Sequence, residues 1–295
     1  MSHLSRTPRA RRALTALVAF GAFVMTGATT PQSTESKRVI SYASFHSSAM
    51  RDTMHYSVSL PPGYASSKKH YPVVYYLHGL PADQYAWRYI GWVATAVRHS
   101  GHQAIVIGAQ GARSNDTDGE WHDWGGGRNW ESSVERELVS QVDARYRTIP
   151  TRAGRALIGV SAGGYGAALI GYHHPGIFSV IQSWSGYFQP TNPAGTAVLD
   201  LGSKAANDWA SLHAIVPHMR RRLGRNYNST YFGFFVGTGD QRFLPDNQRL
   251  AREMRNARVP NYLFRTYKGE HSSALWNDQA PTWLGRALAQ AAPAG

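Results

Sequence analysis

The stretch from Arg155 to Leu169, RALIGVSAGGYGAAL, constrains the fold more than any other part of the chain. Ala156 to Val160 is an apolar run with the length of a buried strand, and small residues lead from it into a helix-compatible segment reaching about His173. At the junction stands Gly159-x-Ser161-x-Gly163, the pattern of a nucleophile elbow. A strand that turns into a helix this sharply brings its flanking positions against neighbouring backbone, and glycine at both flanks removes the conflict. Ser161 is then held at the tip of the turn, where the N-terminus of the next helix stabilises negative charge. The pattern also has a plainer reading, a glycine-rich turn whose serine only caps the helix. With 29 glycines in 295 residues such a triplet arises by chance, so its context decides.

The context is a regular alternation of elements. Strand-like runs cover Val39 to Phe45, Thr53 to Leu60, Tyr71 to Leu77, Ala104 to Ile107, Ile177 to Ser183, Tyr231 to Val236 and Asn261 to Tyr267. Helical periodicity predicts helices over Trp87 to His99, Trp130 to Tyr146, Asn247 to Ala257 and Ser272 to Ala291, the last broken at Pro281. Strands alternating with helices imply an α/β fold with a mostly parallel central sheet and helices on both faces. Phe188 to Ser229 has no clear period and is expected to be a partly helical insertion near the substrate. Gly111 to Asn129, with five glycines, four acids and two tryptophans, is a long irregular segment of the kind that is usually functional or mobile.

Arg6, Arg9, Arg11 and Arg12 precede an almost wholly apolar run, Ala13 to Met25, and then small residues to Pro31. This predicts an export signal over residues 1–30, a polar linker over 31–37 and one catalytic domain over 38–295, secreted or associated with the cell envelope. An uncleaved short anchor is the alternative, but the apolar run is too short for a comfortable membrane span, so no stable membrane insertion is expected after cleavage. The absence of cysteine excludes disulfides and thiolate chemistry. The formal charge of +13 falls by four to +9 without the leader arginines. That excess suits contact with anionic cell-envelope polymers, although a solvated basic surface explains it more plainly. No nucleic-acid module accompanies the densest basic run, Met219 to Arg225, so no nucleic-acid partner is expected.

A neutral serine hydroxyl needs a base, a carboxylate to orient that base, and donors for the oxyanion. In open α/β sheets such groups gather just beyond the carboxyl ends of the strands. His271 follows the last strand and a Gly269 turn, and is the candidate base. Asp240 is the first carboxylate after the preceding strand, with Asp246 the alternative if the loop curls back. The order Ser161, Asp240, His271 is that of α/β-hydrolases. The oxyanion donors are expected to be the backbone N–H groups of Leu80 and Ala162, with His78 holding the Leu80 turn in shape. Trp121, Trp124 and Trp130 offer a platform for a sugar or an aromatic acyl group, or else pack beneath the long loop. None of this chemistry calls for a metal or a cofactor.

Four segments, Leu60-Pro61-Pro62-Gly63-Tyr64, Tyr71 to Gly79, Gly159 to Ala167 and His174-Pro175-Gly176-Ile177-Phe178, together resemble the esterase D family. That family groups S-formylglutathione hydrolases, feruloyl and acetyl esterases and secreted mycolyltransferases. The resemblance covers roughly Val39 to Leu288. It implies an α/β-hydrolase fold, a Ser-Asp/Glu-His triad and carboxylic-ester substrates, and it supports Asp240, because related feruloyl esterases place their acid in a similar Gly-Thr-x-Asp turn. Mycolyltransferases carry Asp-Gly-Leu-Arg where this chain has His78-Gly79-Leu80-Pro81, so an arginine that helps bind trehalose is missing. Three functions follow in order. The first is a secreted esterase acting on small-molecule or carbohydrate-linked esters, short-chain, acetyl or hydroxycinnamoyl. The second is an acyltransferase to a sugar hydroxyl, and the third a non-catalytic envelope- or carbohydrate-binding hydrolase fold.

Overall fold

The computed structural model describes residues 40–295; the expected export signal and linker lie outside the described residues. Eight strands form one sheet: β1 (Ile40–Ser47), β2 (Asp52–Ser59), β3 (Val73–Leu77), β4 (Ile105–Ala109), β5 (Arg155–Val160), β6 (Val180–Trp184), β7 (Tyr231–Gly237) and β8 (Tyr262–Tyr267). Their order across the sheet is β1-β2-β4-β3-β5-β6-β7-β8. The β1–β2 and β2–β4 pairs are antiparallel; every pair from β4 to β8 is parallel. The central strands are apolar on both faces because helices cover both.

Alternation along β3 shows how the layers divide. Val73, Tyr75 and Leu77 face one side with Trp121, Trp130, Val134 and Leu138. Val74 and Tyr76 face the other, against Val93 and Val97 of helix α1 (Gly91–His99). The first side also carries α2 (Ala162–His173), the helix after the elbow, and α3 (Leu244–Asn256). The second side carries α4 (Ser273–Gln290), which packs on α1.

Three elements differ from expectation. The helix expected from Trp87 begins only at Gly91, after a single tight turn over Ala86–Arg88. The Ser57 hydroxyl donates to the Trp87 carbonyl at 2.5 Å and captures an acceptor that a longer helix would need. Pro281 does not break α4, because buried Ala280, Trp283 and Leu284 hold both sides of it against the sheet. Burial offsets the one backbone bond that proline forfeits. The helical stretch over 130–145 widens to a π-helical segment at Ser133–Leu138. The segment 188–229 is the irregular insertion expected, with short helices at Lys204–Trp209, Leu212–Ile215 and Met219–Leu223.

The elbow is the tightest point of the fold. A Cβ on Gly159 would lie 2.1 Å from the Gly163 carbonyl oxygen, and one on Gly163 would lie 2.1 Å from that of Leu77. Gly163→Ala is therefore expected to destabilise the protein by about 3 kcal/mol or to prevent soluble expression. Gly176→Ala, where a Cβ would meet nothing within 4 Å, should stay within about 0.5 kcal/mol of wild type in urea denaturation.

Candidate active site

Ser161 follows β5 directly and adopts φ 55°, ψ −125°, a backbone conformation that costs a non-glycine residue of order 1–3 kcal/mol. Its own N–H donates to the Trp184 carbonyl at 2.9 Å, and its carbonyl accepts from Gly164 and Tyr165. The strained residue is thus fixed from both ends. Only 9 % of it is exposed.

Two further turns bring the partners. Asp240 follows β7 and His271 follows β8, and the turns that carry them dock backbone to backbone: the Gly239 N–H donates to the Gly269 carbonyl at 2.7 Å and the Thr238 N–H to that of Tyr267 at 2.8 Å. A Cβ on Gly237 would lie 2.4 Å from the Gly269 oxygen, so glycine is needed for this approach. His271 then sits with Nδ1 2.7 Å from Asp240 Oδ2 and Nε2 2.9 Å from Ser161 Oγ. Phe243 and Trp276 meet the imidazole edge-on, both with ring centroids 5.2 Å away, and limit its rotation. The Asp240 side chain is 1 % exposed, so little water competes for its carboxylate.

Asp246 is engaged elsewhere. One oxygen accepts the Phe188 N–H at 2.9 Å and the other meets His213 Nε2 at 2.8 Å, while Glu253 meets His213 Nδ1 at 2.6 Å. Burial opposes the charged imidazole, yet the bonds to both carboxylates raise the His213 pKa above its ordinary value. Asp246 ties the insertion to α3 and does not face His271.

The third turn, His78–Leu80, follows β3. A Cβ on Gly79 would lie 3.2 Å from the Ser161 Cβ, so this turn presses directly on the serine. Leu80 lines the same cleft as Ser161, and Ala162 is the first residue of α2, where a backbone N–H has no acceptor within the helix. His78 keeps the turn in place: its Nε2 accepts the Gly111 N–H at 3.1 Å, which leaves Nδ1–H to donate to the Gly79 carbonyl at 2.9 Å. Burial lowers its pKa to about 4, so the ring stays neutral in both roles.

The structure corrects the expected aromatic platform. Trp121 and Trp130 have no exposed surface; the Trp121 indole N–H donates to the His78 carbonyl at 3.2 Å and that of Trp130 to Asp116 at 2.9 Å. Trp124 is half-buried and donates to the Gly119 carbonyl at 2.8 Å. None of the three lines the cleft, because their large apolar rings fill the space between the long loop and the sheet.

The cleft at Ser161 measures about 260 Å³ and is walled by Leu80, Pro81, Glu120, Tyr187, Phe243 and His271 among others. The sequence does not mark Glu120 or Tyr187 as functional; the signal it offers is only that Glu120 lies in the long irregular segment. Among the described residues, no group of three or more His, Asp or Glu side chains is arranged to hold a metal ion. No helix among them is long and apolar enough to cross a membrane.

A family model described as "Putative esterase" matches residues 47–286. An esterase of Mycobacterium tuberculosis is 30% identical over 242 residues, covering 75% of this chain and 53% of the relative. A diacylglycerol acyltransferase/mycolyltransferase of Mycobacterium leprae is 28% identical over 151 residues, covering 47% of this chain and 44% of that protein. The chain spans about half the length of the curated relatives it matches. Among solved structures, a ferulic acid esterase aligns with a TM-score of 0.70 at 24% identity over 85% of this chain and 98% of its own. An S-formylglutathione hydrolase from Agrobacterium tumefaciens aligns with a TM-score of 0.67 at 21% identity over 84% and 94%. These structures share the α/β-hydrolase fold.

Two outcomes are expected from this geometry. Ser161→Gly should raise stability by about 1 kcal/mol through release of the backbone strain, whereas Ser161→Ala, which keeps that strain, should not; thermal melts compare the two. His78 binds its proton only below about pH 4 in the folded state but near pH 6.5 in the unfolded chain. The unfolded state therefore holds more protons between these values, and stability is lost as pH falls through them. Between pH 7 and pH 5 the loss should be about 2 kcal/mol, and His78→Gln should remove that part of the slope in urea titrations.

Proposed function

The chain belongs to the Esterase family, and on that premise we propose that it is a serine carboxylic-ester hydrolase working through an acyl-enzyme. One observation carries the reading: His271 bridges the Ser161 hydroxyl and the Asp240 carboxylate at 2.9 and 2.7 Å. Ser161 Oγ attacks the ester carbonyl carbon as its proton passes to Nε2, and the carbonyl π pair moves onto oxygen. The N–H groups of Leu80 and Ala162 receive that oxyanion, aided by the positive end of α2. Collapse breaks the bond to the alcohol oxygen, which departs with the Nε2 proton. Water then gives a proton to Nε2, attacks the acyl carbon, and expels Ser161, which recovers its proton. Asp240 keeps Nδ1 protonated throughout and stabilises the imidazolium.

The size of the cleft supports a substrate class. About 260 Å³ suits a short-chain, acetyl or single hydroxycinnamoyl group, free or carried on a carbohydrate. The arginine-rich, apolar leader supports secretion or retention at the cell envelope. Transfer of the acyl group to a sugar hydroxyl is the second reading, favoured by the match to an acyltransferase. Against it, Pro81 in the cleft wall has neither an N–H nor a side-chain donor for a sugar. A binding protein without catalysis is the weakest reading, because the hydrogen-bond chain from Ser161 to Asp240 is continuous.

A fluorophosphonate probe should label wild type at Ser161 and leave Ser161→Ala unlabelled. Ester turnover should fall at least about 10⁴-fold in Ser161→Ala. Asp240→Asn should lose a similar factor and Asp246→Asn less than about tenfold. Labelling at another serine, or the reverse order of the two aspartates, would overturn the assignment. Product partition with an added sugar acceptor separates hydrolysis from transfer.

A further inference from the structure

Glu120 is the one buried acid in the cleft wall that the mechanism above leaves without a task. It is 1 % exposed, and both of its oxygens lie 2.7 Å from the hydroxyl of Tyr187. The two residues come from different loops, Glu120 from the segment after β4 and Tyr187 from the segment after β6, and both line the cleft with Ser161. Glu120 and Trp121 have consecutive positive φ values of 51° and 53°. Neither is glycine, and such strain gathers where surrounding structure imposes it for a purpose. Here the two left-handed residues send neighbouring side chains opposite ways: Trp121 packs under the loop against α2, where a Cβ on Gly166 would lie 2.5 Å from it, and Glu120 enters the cleft wall.

We propose that Glu120, held by Tyr187, is a specificity-determining residue that hydrogen-bonds a hydroxyl group of the substrate, so that the cleft selects hydroxylated esters. The inference rests on the esterase reading of the same site. The Tyr187 hydroxyl and the Thr191 backbone do not use up the hydrogen-bonding sites of a carboxyl group, which retains capacity for another hydrogen bond. Burial pushes its pKa up to about 8, with Asp118 adding to the rise and the Tyr187 hydroxyl and the Thr191 backbone opposing it. Tyr165 stacks on Tyr187, and Arg242 and His271 stand on the other cleft walls. At neutral pH the group is an uncharged acid that both donates and accepts, which suits a hydroxyl and leaves no buried charge to desolvate. The hydroxyl can belong to the acyl group, as in a hydroxycinnamate, or to the alcohol, as in a sugar.

Two matched pairs of esters separate these sources: p-nitrophenyl 4-hydroxycinnamate against p-nitrophenyl cinnamate, and glucose 6-acetate against cyclohexylmethyl acetate. Wild type should prefer the hydroxylated member of one pair by about tenfold or more in kcat/KM, and the preference should weaken above about pH 8. Glu120→Ala should abolish the preference through KM, while Glu120→Gln, which keeps a donor and an acceptor, should retain it without the pH dependence. Binding of the same esters to Ser161→Ala reads the preference without turnover. An inactive wild type would therefore overturn the hydrolase reading while this inference stayed measurable. Equal handling of both members in both pairs, or equal losses on both members in Glu120→Ala, overturns the inference.

Discussion

A contact between backbones with no room for a Cβ atom governs the rest of this molecule. β5 ends where the α2 backbone crosses it at Gly159 and Gly163, and the β3 carbonyls close the third side of the same space. Every other part of the site is placed relative to this point. The Gly79 turn can reach Ser161 because β3 and β5 are paired neighbours, and β6 fixes the serine through the Trp184 carbonyl. Packing of α2 onto the sheet holds the strained serine in place, and the energy for that strain comes from the apolar helix burying almost every residue.

Around that point the protein keeps ionisable groups uncharged or paired. His78 is neutral because it is buried and both ring nitrogens are occupied by backbone. Glu120 is raised by burial, and Tyr187, against it, is raised well above its ordinary value for the same reason. His213 is matched with two carboxylates at the edge of the insertion. The dry surroundings that make unpaired charge costly also strengthen each hydrogen bond directed at Ser161.

Much of the architecture was legible in the chain. Ser161, Asp240 and His271 could be brought together because each is the first chemically apt residue after a strand, and parallel strands end on one edge. The choice between Asp240 and Asp246 was open in the sequence because it depends on His213, which belongs to an insertion without periodicity and lies 33 residues from Asp246. The fate of the tryptophans was equally hidden. Composition shows that aromatic rings are present in the long loop, but two successive left-handed residues at 120 and 121 decide which side chain turns inward, and nothing in a Gly-Glu-Trp triplet signals them. Pro281 failed as a helix breaker because tertiary burial outweighs a local preference.

The paired kink at Glu120 and Trp121 separates the residue that anchors the loop from the residue the loop presents to the cleft. Trp121 acts as a fulcrum, pinned beneath α2 and to the His78 carbonyl, and Glu120 rides on it. The stretch from Arg113 to Asp118 lies upstream of that fulcrum and is tied outward, with Asp116 accepting from Arg128 and the Trp130 indole and the Thr117 carbonyl accepting the Ala82 N–H. Insertions or deletions there would break these ties, one of which reaches Ala82 beside the cleft-wall residue Pro81. Exchange of the single residue on the short arm changes what the wall offers a ligand while the loop keeps its anchor. What the wall offers a ligand can thereby change at one position without a change in the loop that carries it.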